Sequence, residues 1–359
     1  MTLKEKIGQL FMFGFDGTTP SKGIADLIQN AFIGGVVFFK RNLKSPLQIA
    51  RLTNRLQDFS PKVPLFISVD EEGGRISRLP KGFTFFPSPA AFGLLNQPDL
   101  TYRAADITAK ELRAVGINMD FSPVLDVLTQ PENPVIGDRA FAASPIVVSA
   151  MGLAVMAGLQ DNRVISCGKH FPGHGDTRED SHVTLPKVSA PLARLERVEL
   201  RPFHHLIENG LASIMTAHVL YPALDPKHPA TLSPRIIDKL LRRALGFKGL
   251  VITDDLEMKA IHADPGEASV RALLAGADVL LICHTEASQR LALEAVLRAV
   301  ESKRISEARI DESIVRILSV KKRFLVPYQP ATPQSVRQTV GRPAHRRALN
   351  GILETLEVA

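Results

Sequence analysis

The sequence predicts an α/β protein built as a (β/α)8 barrel of the TIM type, in a single domain with a short C-terminal tail. Three observations predict it. Eight apolar, β-rich runs recur along the chain with helix-patterned segments after most of them, as a parallel sheet with crossover helices requires. No GxGxxG turn follows the first run, although the runner-up, a doubly wound nucleotide-binding sheet, would need one. Unusual polar residues collect at the C-terminal ends of the runs, the face that carries the active site in this barrel.

In chain order the runs are LFMFGF (10–15), GGVVFF (34–39), PLFISVD (64–70), INMDFSPV (117–124), RVISCG (163–168), ASIMTAH (212–218), GLVITD (249–254) and ADVLLIC (277–283). Helical patterning covers 46–59, 99–115, 145–160, 191–209, 234–245, 265–275, 286–302 and 306–324. The pairs Ser45-Pro46, Ser144-Pro145 and Ser233-Pro234 each set a capping serine before a proline suited to the first turn. After Phe324 the segment VPYQPATPQ is proline-rich and leaves the barrel, with a short helix expected from Pro343 onward. The expected division is therefore a barrel domain over 1–325 and a linker with a helical tail over 326–359.

The chain has 359 residues, 45% hydrophobic and 23% charged, the balance of an ordinary globular protein. That length would suit two domains, but barrels of this kind reach it as one. The net charge is +7, yet the basic residues are scattered, with short clusters only at Lys321–Arg323 and Arg346–Arg347. No nucleic-acid partner is expected. Cys167 and Cys283 lie far apart without a CxxC pattern, so each is expected to pack as a small buried hydrophobe. The opening MTLKEKIGQLFMFGF lacks the form of a secretory signal. No run approaches the ~18 apolar residues of a membrane span. A cytoplasmic protein with no membrane partner is expected, its oligomeric state left open, a monomer included.

Run three ends in Asp70 and leads into EEGGR; run four holds Asp120 and leads to Asp126 and NPVIGDRAF; run five leads into Lys169-His170; runs six and seven end in His218 and Asp254-Asp255. Singly, an acid here could cap a turn and His218 could be a bonded core histidine. Their shared location is better explained by a polar pocket. Asp254, at the tip of an apolar run, is assigned to chemistry as a nucleophile, and Asp255 to capping a helix starting near Leu256. Arg139 offers a planar donor fork for hydroxyls or carboxylates, and Asp138 holds its loop.

The stretch KHFPGHGDTREDSH (169–182) carries three histidines. A metal site would need three converging ligands, but this segment is glycine-rich and does not fix its histidines on one helix face as HExxH does. No metal is expected. In an extended segment residues i and i+2 project to one side, so Asp180 can reach His182, fix its tautomer and support its imidazolium. Histidine, with an unperturbed pKa of ~6.5, suits proton transfer near neutrality.

These residues resemble glycoside hydrolase family 3 β-N-acetylglucosaminidases of the NagZ type. The matching motifs are VDEEGGR (69–75), NMDFSPVLDV (118–127), NPVIGDRAF (133–141), GKHFPGHGDTREDSH (168–182), TAHVLYPALD (216–225), PATLSP (229–234) and ITDDLEM (252–258), over roughly Lys4 to Phe324. The resemblance implies a retaining exo-β-N-acetylglucosaminidase with no metal or cofactor. It implies Asp254 as the residue that forms the glycosyl-enzyme and His182 as the acid/base oriented by Asp180. It implies that Asp70, Arg139, Lys169 and His170 hold the sugar hydroxyls, and that His218 and Met258 line the pocket. Gly173 and Gly175 are expected to free the loop so that His182 reaches the glycosidic oxygen. Cell-wall recycling, with 1,6-anhydro-muropeptides as small-molecule substrates, is the implied role. RAFAASP (139–145) departs from the usual RSFGSDP, and the stretch after ITDDLEM is short, which bears on the leaving-group side. Relatives with a second C-terminal domain exist, and this chain is expected to lack it.

Three other readings fit the same residues. A phosphorylase would use phosphate in place of water, a silent sugar-binding barrel would bind without turnover, and a metal hydrolase would lose activity in chelator.

Overall fold

The computed structural model describes residues 1–181 and 183–358. Eight parallel strands close into a barrel: β1 (Phe11–Gly14), β2 (Gly35–Phe38), β3 (Phe66–Val69), β4 (Met119–Asp120), β5 (Ile165–Phe171), β6 (Ser213–Thr216), β7 (Leu250–Asp255) and β8 (Val279–Ile282). Each strand pairs with its neighbour in sequence, and β8 closes on β1 with Phe11 opposite Leu280 and Phe13 opposite Ile282. Every residue of β1, β2, β3, β6 and β8 is buried, because helices cover the outside while side chains fill the inside. That two-sided burial is why these strands read as continuous apolar runs.

Each of the eight expected runs holds one strand, but β4 is only two residues long. Pro123 has no N–H to give the ladder, and pairing returns only as an isolated bridge between Val124 and Lys169. The expected helix over 191–209 is two helices, Leu192–Arg197 and Leu200–Glu208. At the break Glu199 is buried and pairs back to Arg194 at 3.0 Å. The segment Arg235–Ala244 is wound as a π-helix, with the Leu245 N–H reaching the Leu240 carbonyl. Ser45 caps Pro46–Asp58 by accepting from the Gln48 N–H, and Ser233 accepts from Ile236. Ser144 makes no side-chain cap bond.

Four helices were not expected from the sequence: Leu3–Gln9, Lys22–Asn30, Pro89–Leu95 and Pro333–Thr339. The expected tail helix is Pro343–Val358, and it buries His345, Ala348 and Ile352. Asn54 clasps the segment before it, donating to the Ala331 carbonyl at 2.8 Å and accepting from the Ala331 N–H at 3.0 Å. Both cysteines are buried and unbridged. Among the described residues no helix is long and apolar enough to cross a membrane.

Candidate active site

The C-terminal ends of the strands surround a cavity of about 310 Å³, whose walls include Asp70, Glu72, Arg139, Lys169, His170 and Asp254. Lys169, at the end of β5, is 1% exposed. Its ammonium lies 2.7 Å from Asp70 Oδ1 and 2.6 Å from Glu72 Oε1. Burial opposes that charge, but the two carboxylates outweigh it and hold the Lys169 pKa above that of an ordinary lysine. Glu72 also receives a bidentate pair from Arg139, Nε to Oε2 and Nη2 to Oε1, both 2.8 Å. Burial would raise the Glu72 pKa, but Lys169 and Arg139 push it well below the carboxylate range. Glu72 was not singled out from the sequence. The available signal was its place in EEGGR, directly after the run that ends at Asp70.

Beside this cluster Asp126 Oδ2 lies 2.7 Å from His170 Nδ1. Asp126 is fully buried, and its Oδ1 accepts the backbone N–H groups of His170 at 3.2 Å and His174 at 2.6 Å. Asp126 thereby orients the ring at the cavity wall and ties the histidine loop to the end of β4. Arg139 Nη2 approaches His170 Nε2 at 3.5 Å.

Asp254 lies near the end of β7, partly exposed to the cavity. Its Oδ1 accepts the Asp255 N–H at 2.8 Å. Burial raises its pKa, but the facing His218, His170 and Lys169 and that N–H bond together hold it below the ordinary aspartate value. Asp254 is thus ionised at neutral pH. Asp255 does not cap a helix at Leu256, because 255–258 is a turn closed by the Met258 N–H on the Asp255 carbonyl. Its carboxylate instead accepts from Glu257 and Cys283 N–H groups and lies 3.2 Å from His284 Nε2. Asp138 pairs with Arg75 at 2.6 Å.

Met258 lines the cavity. His218 does not, which corrects the expectation that it would. It is 1% exposed and sits behind Asp254, with Nε2 donating to the Asp255 carbonyl at 2.9 Å and Nδ1 2.7 Å from Thr231 Oγ1. Burial lowers its pKa, and its bonds support the end of β7. Its two bonds lock the ring with strands β6 and β7 held together.

Both glycines of the histidine loop sit where a side chain would collide. A Cβ on Gly175 would fall 1.9 Å from the Val127 carbonyl oxygen, and one on Gly173, at φ +136, would fall 2.9 Å from Glu199 Cβ. The glycines permit close approach of the loop to Val127 and Glu199. The Tyr221 hydroxyl donates to the Gly173 carbonyl, and Asp176 Oδ1 accepts from Thr129 Oγ1 at 2.8 Å and pairs with Arg194 at 3.0 Å. His174 is buried between Thr177 Oγ1 at 2.8 Å and Ser181 Oγ at 3.1 Å. Burial lowers its pKa to about 4, so it is neutral. Asp180 and Ser181 line the cavity. The Asp180 carbonyl accepts from both Val183 and Thr184 N–H. His182 lies outside the described residues.

Behind the cluster, Asp120 Oδ1 accepts the Glu71 N–H at 2.9 Å while its Oδ2 is buried without a partner. Burial raises the Asp120 pKa well above the carboxylate range and that of Glu71 to about 7. Among the described residues no three His, Cys, Asp or Glu converge as a metal's ligands would.

The family described as glycosyl hydrolase family 3 N-terminal domain matches residues 2–320. A relative named beta-hexosaminidase A, from Pseudoalteromonas piscicida, is 35% identical over 358 residues, which cover 92% of this chain and 60% of that protein. The chain therefore spans less than two thirds of that relative's length. A solved glycoside hydrolase family 3 beta-N-acetylglucosaminidase from Paenibacillus sp. str. FPU-7 is 45% identical with a TM-score of 0.96, covering 99% of this chain and 69% of its own. NagZ from Neisseria gonorrhoeae, solved with N-trifluoroacetyl-D-glucosamine, is 28% identical with a TM-score of 0.80, covering 97% of this chain and 98% of its own. On the barrel, the strand-end cluster and a family match over nearly the whole chain, the protein belongs to glycosyl hydrolase family 3.

Proposed function

We propose that the protein is a retaining exo-β-N-acetylglucosaminidase. The observation that carries this reading is Asp254: an ionised carboxylate at the tip of β7, facing a cavity whose opposite wall is the Asp70–Lys169–Glu72–Arg139 cluster. A free carboxylate suits attack on an anomeric carbon, and paired cations and acids suit sugar hydroxyls. The relatives named for hexosaminidase and N-acetylglucosaminidase activity support the same substrate class.

In the proposed reaction Asp254 forms a bond to C1 as the glycosidic C–O bond breaks, and His182 gives its proton to the departing oxygen. Water then attacks C1, passes a proton back to His182 and releases Asp254, with the β configuration retained. Asp180 orients His182. Asp70, Arg139, Lys169 and His170 hold the sugar hydroxyls, with Met258 on the wall. No step requires a metal. Residues 1–325 form the catalytic unit and 326–359 are an appended linker and tail. Likeness to NagZ supports 1,6-anhydro-muropeptides as substrates, in cytoplasmic cell-wall recycling.

Release of nitrophenol from a β-N-acetylglucosaminide, measured in chelator for wild type and Asp254→Asn, tests the reaction. Wild-type turnover that is absent in the variant supports it. Turnover only with added phosphate makes the enzyme a phosphorylase, and no turnover in either sinks the enzymatic reading. Release of N-acetylglucosamine from an anhydro-muropeptide, compared with chitobiose, tests the finer substrate.

A further inference from the structure

The segment beyond Phe324 lies outside the family match, which ends at residue 320, yet it reaches back toward the site. Glu111 is 1% exposed and is the meeting point. Its Oε1 accepts from His345 Nδ1 at 2.7 Å, the Gly341 N–H at 2.9 Å and Thr84 Oγ1 at 2.8 Å, while Oε2 accepts the Thr84 N–H at 2.8 Å. One carboxylate thus grips both the tail and the 81–88 segment. Gly341 also packs directly on that segment: a Cβ there would lie 2.1 Å from the Gly82 carbonyl oxygen.

The 81–88 segment in turn backs the turn that carries Glu72. The Phe86 carbonyl accepts the Gly74 N–H at 3.0 Å. A Cβ on Gly73 would lie 2.5 Å from the Pro87 carbonyl oxygen, so the two backbones are in contact immediately after Glu72. Glu72 sets Lys169 and Arg139. His345 is 2% exposed, and its Nε2 has no partner among the described residues, so the bond to Glu111 is what fixes the ring.

We infer that Glu111 and His345 are positioning residues for the Glu72 turn, making the C-terminal tail a working part of the sugar site. The path runs from His345 through Glu111, Thr84 and Phe86 to Gly74 and Glu72. The kinetic arm of its test rests on the glycosidase reading; the exchange arm does not.

The test uses full-length His345→Leu, His345→Asn and Asn54→Ala, with amide hydrogen exchange over 71–78 and nitrophenyl-glycoside kinetics. His345→Leu is expected to speed exchange over 71–78 and to lower kcat/KM by about tenfold or more, since small misplacements of binding groups carry such costs. In His345→Asn the amide nitrogen replaces Nδ1, and both readouts return to within about threefold of wild type. Asn54→Ala removes the other tail clasp without touching Glu111, so it lowers the melting temperature and leaves both readouts in place. Unchanged exchange and kinetics in His345→Leu, or the same changes in Asn54→Ala, would overturn the inference. If His345→Leu does not fold, Thr84→Val breaks the same path one step nearer the site and is read identically. If wild type shows no glycosidase activity, the exchange result alone decides.

Discussion

Glu72 and Arg139 meet fork to fork, with two parallel bonds of 2.8 Å, and the same carboxylate takes the Lys169 ammonium at 2.6 Å. Two cations, one from β5 and one from the turn at Gly137–Arg139, are thereby fixed by one acid whose side chain is 1% exposed. Removing the acid leaves both cations buried around a neutral group.

Glu72→Gln is therefore expected to destabilise the fold by about 3–5 kcal/mol, the range for breaking one side of a buried ion pair. Denaturant titration reads that as a lower midpoint at unchanged slope. At temperatures where the variant stays folded, KM for the sugar rises because Lys169 and Arg139 lose their common anchor. A midpoint within experimental error of wild type would refute the anchoring account.

Asp254→Asn keeps the shape of the site and removes the carboxylate proposed as the nucleophile. We expect kcat to fall by at least about a thousandfold, with the melting temperature equal to or above that of wild type, since a buried charge is lost. A fluorinated glycoside that traps the intermediate should add one sugar mass to wild type and none to the variant. An adduct on any peptide lacking Asp254 would move the nucleophile elsewhere.

Glu71 gives the protein a pH dependence of stability with a definite sign. Its pKa is raised to about 7 by burial in the fold, against ~4.3 for an exposed glutamate. Between these values the folded chain holds a proton that the unfolded chain has released, so this group's contribution to stability falls as pH rises from about 4.5 to 7. The span corresponds to about 3 kcal/mol. Glu71→Gln should gain stability relative to wild type at pH 8 compared with pH 5. Denaturant melts at the two pH values check it, and a pH-independent difference would count against a buried protonated Glu71.

His174 bonds Ser181 within the loop that lines the cavity. His174→Ala is expected to lower kcat by about ten- to a hundredfold with a smaller change in KM, because the sugar contacts proposed for Lys169 and Arg139 do not involve it. Steady-state kinetics on the nitrophenyl glycoside decide this. An increase confined to KM would assign His174 to sugar binding instead.

The barrel was legible because its strands are buried on both faces and so appear as unbroken apolar runs, as in FMFG and VLLI. Asp254 and Lys169 were legible because they terminate such runs. What stayed hidden depends on contacts between distant residues. Glu72 reads as one acid among two in EEGGR until Arg139, far along the chain, folds onto it. His218 ends its run as a pocket residue would, yet Thr231 and the Asp255 carbonyl turn it inward. The close packing of Gly173 on Glu199 and of Gly175 on Val127 has no local signature in the sequence. The tail's link to Glu111 has no local signature at all.

The loop from Gly173 to Ser181 is held by Tyr221, Asp126, Arg194 and the His174–Ser181 bond before any sugar arrives. Its ordering entropy is therefore lost during folding, not during binding. A ligand entering the cavity does not have to recruit this stretch of chain, so more of its interaction energy is left to act on the reacting centre. If the proposed glycosidase reading holds, such a site suits small ligands that could not organise a loose loop by themselves.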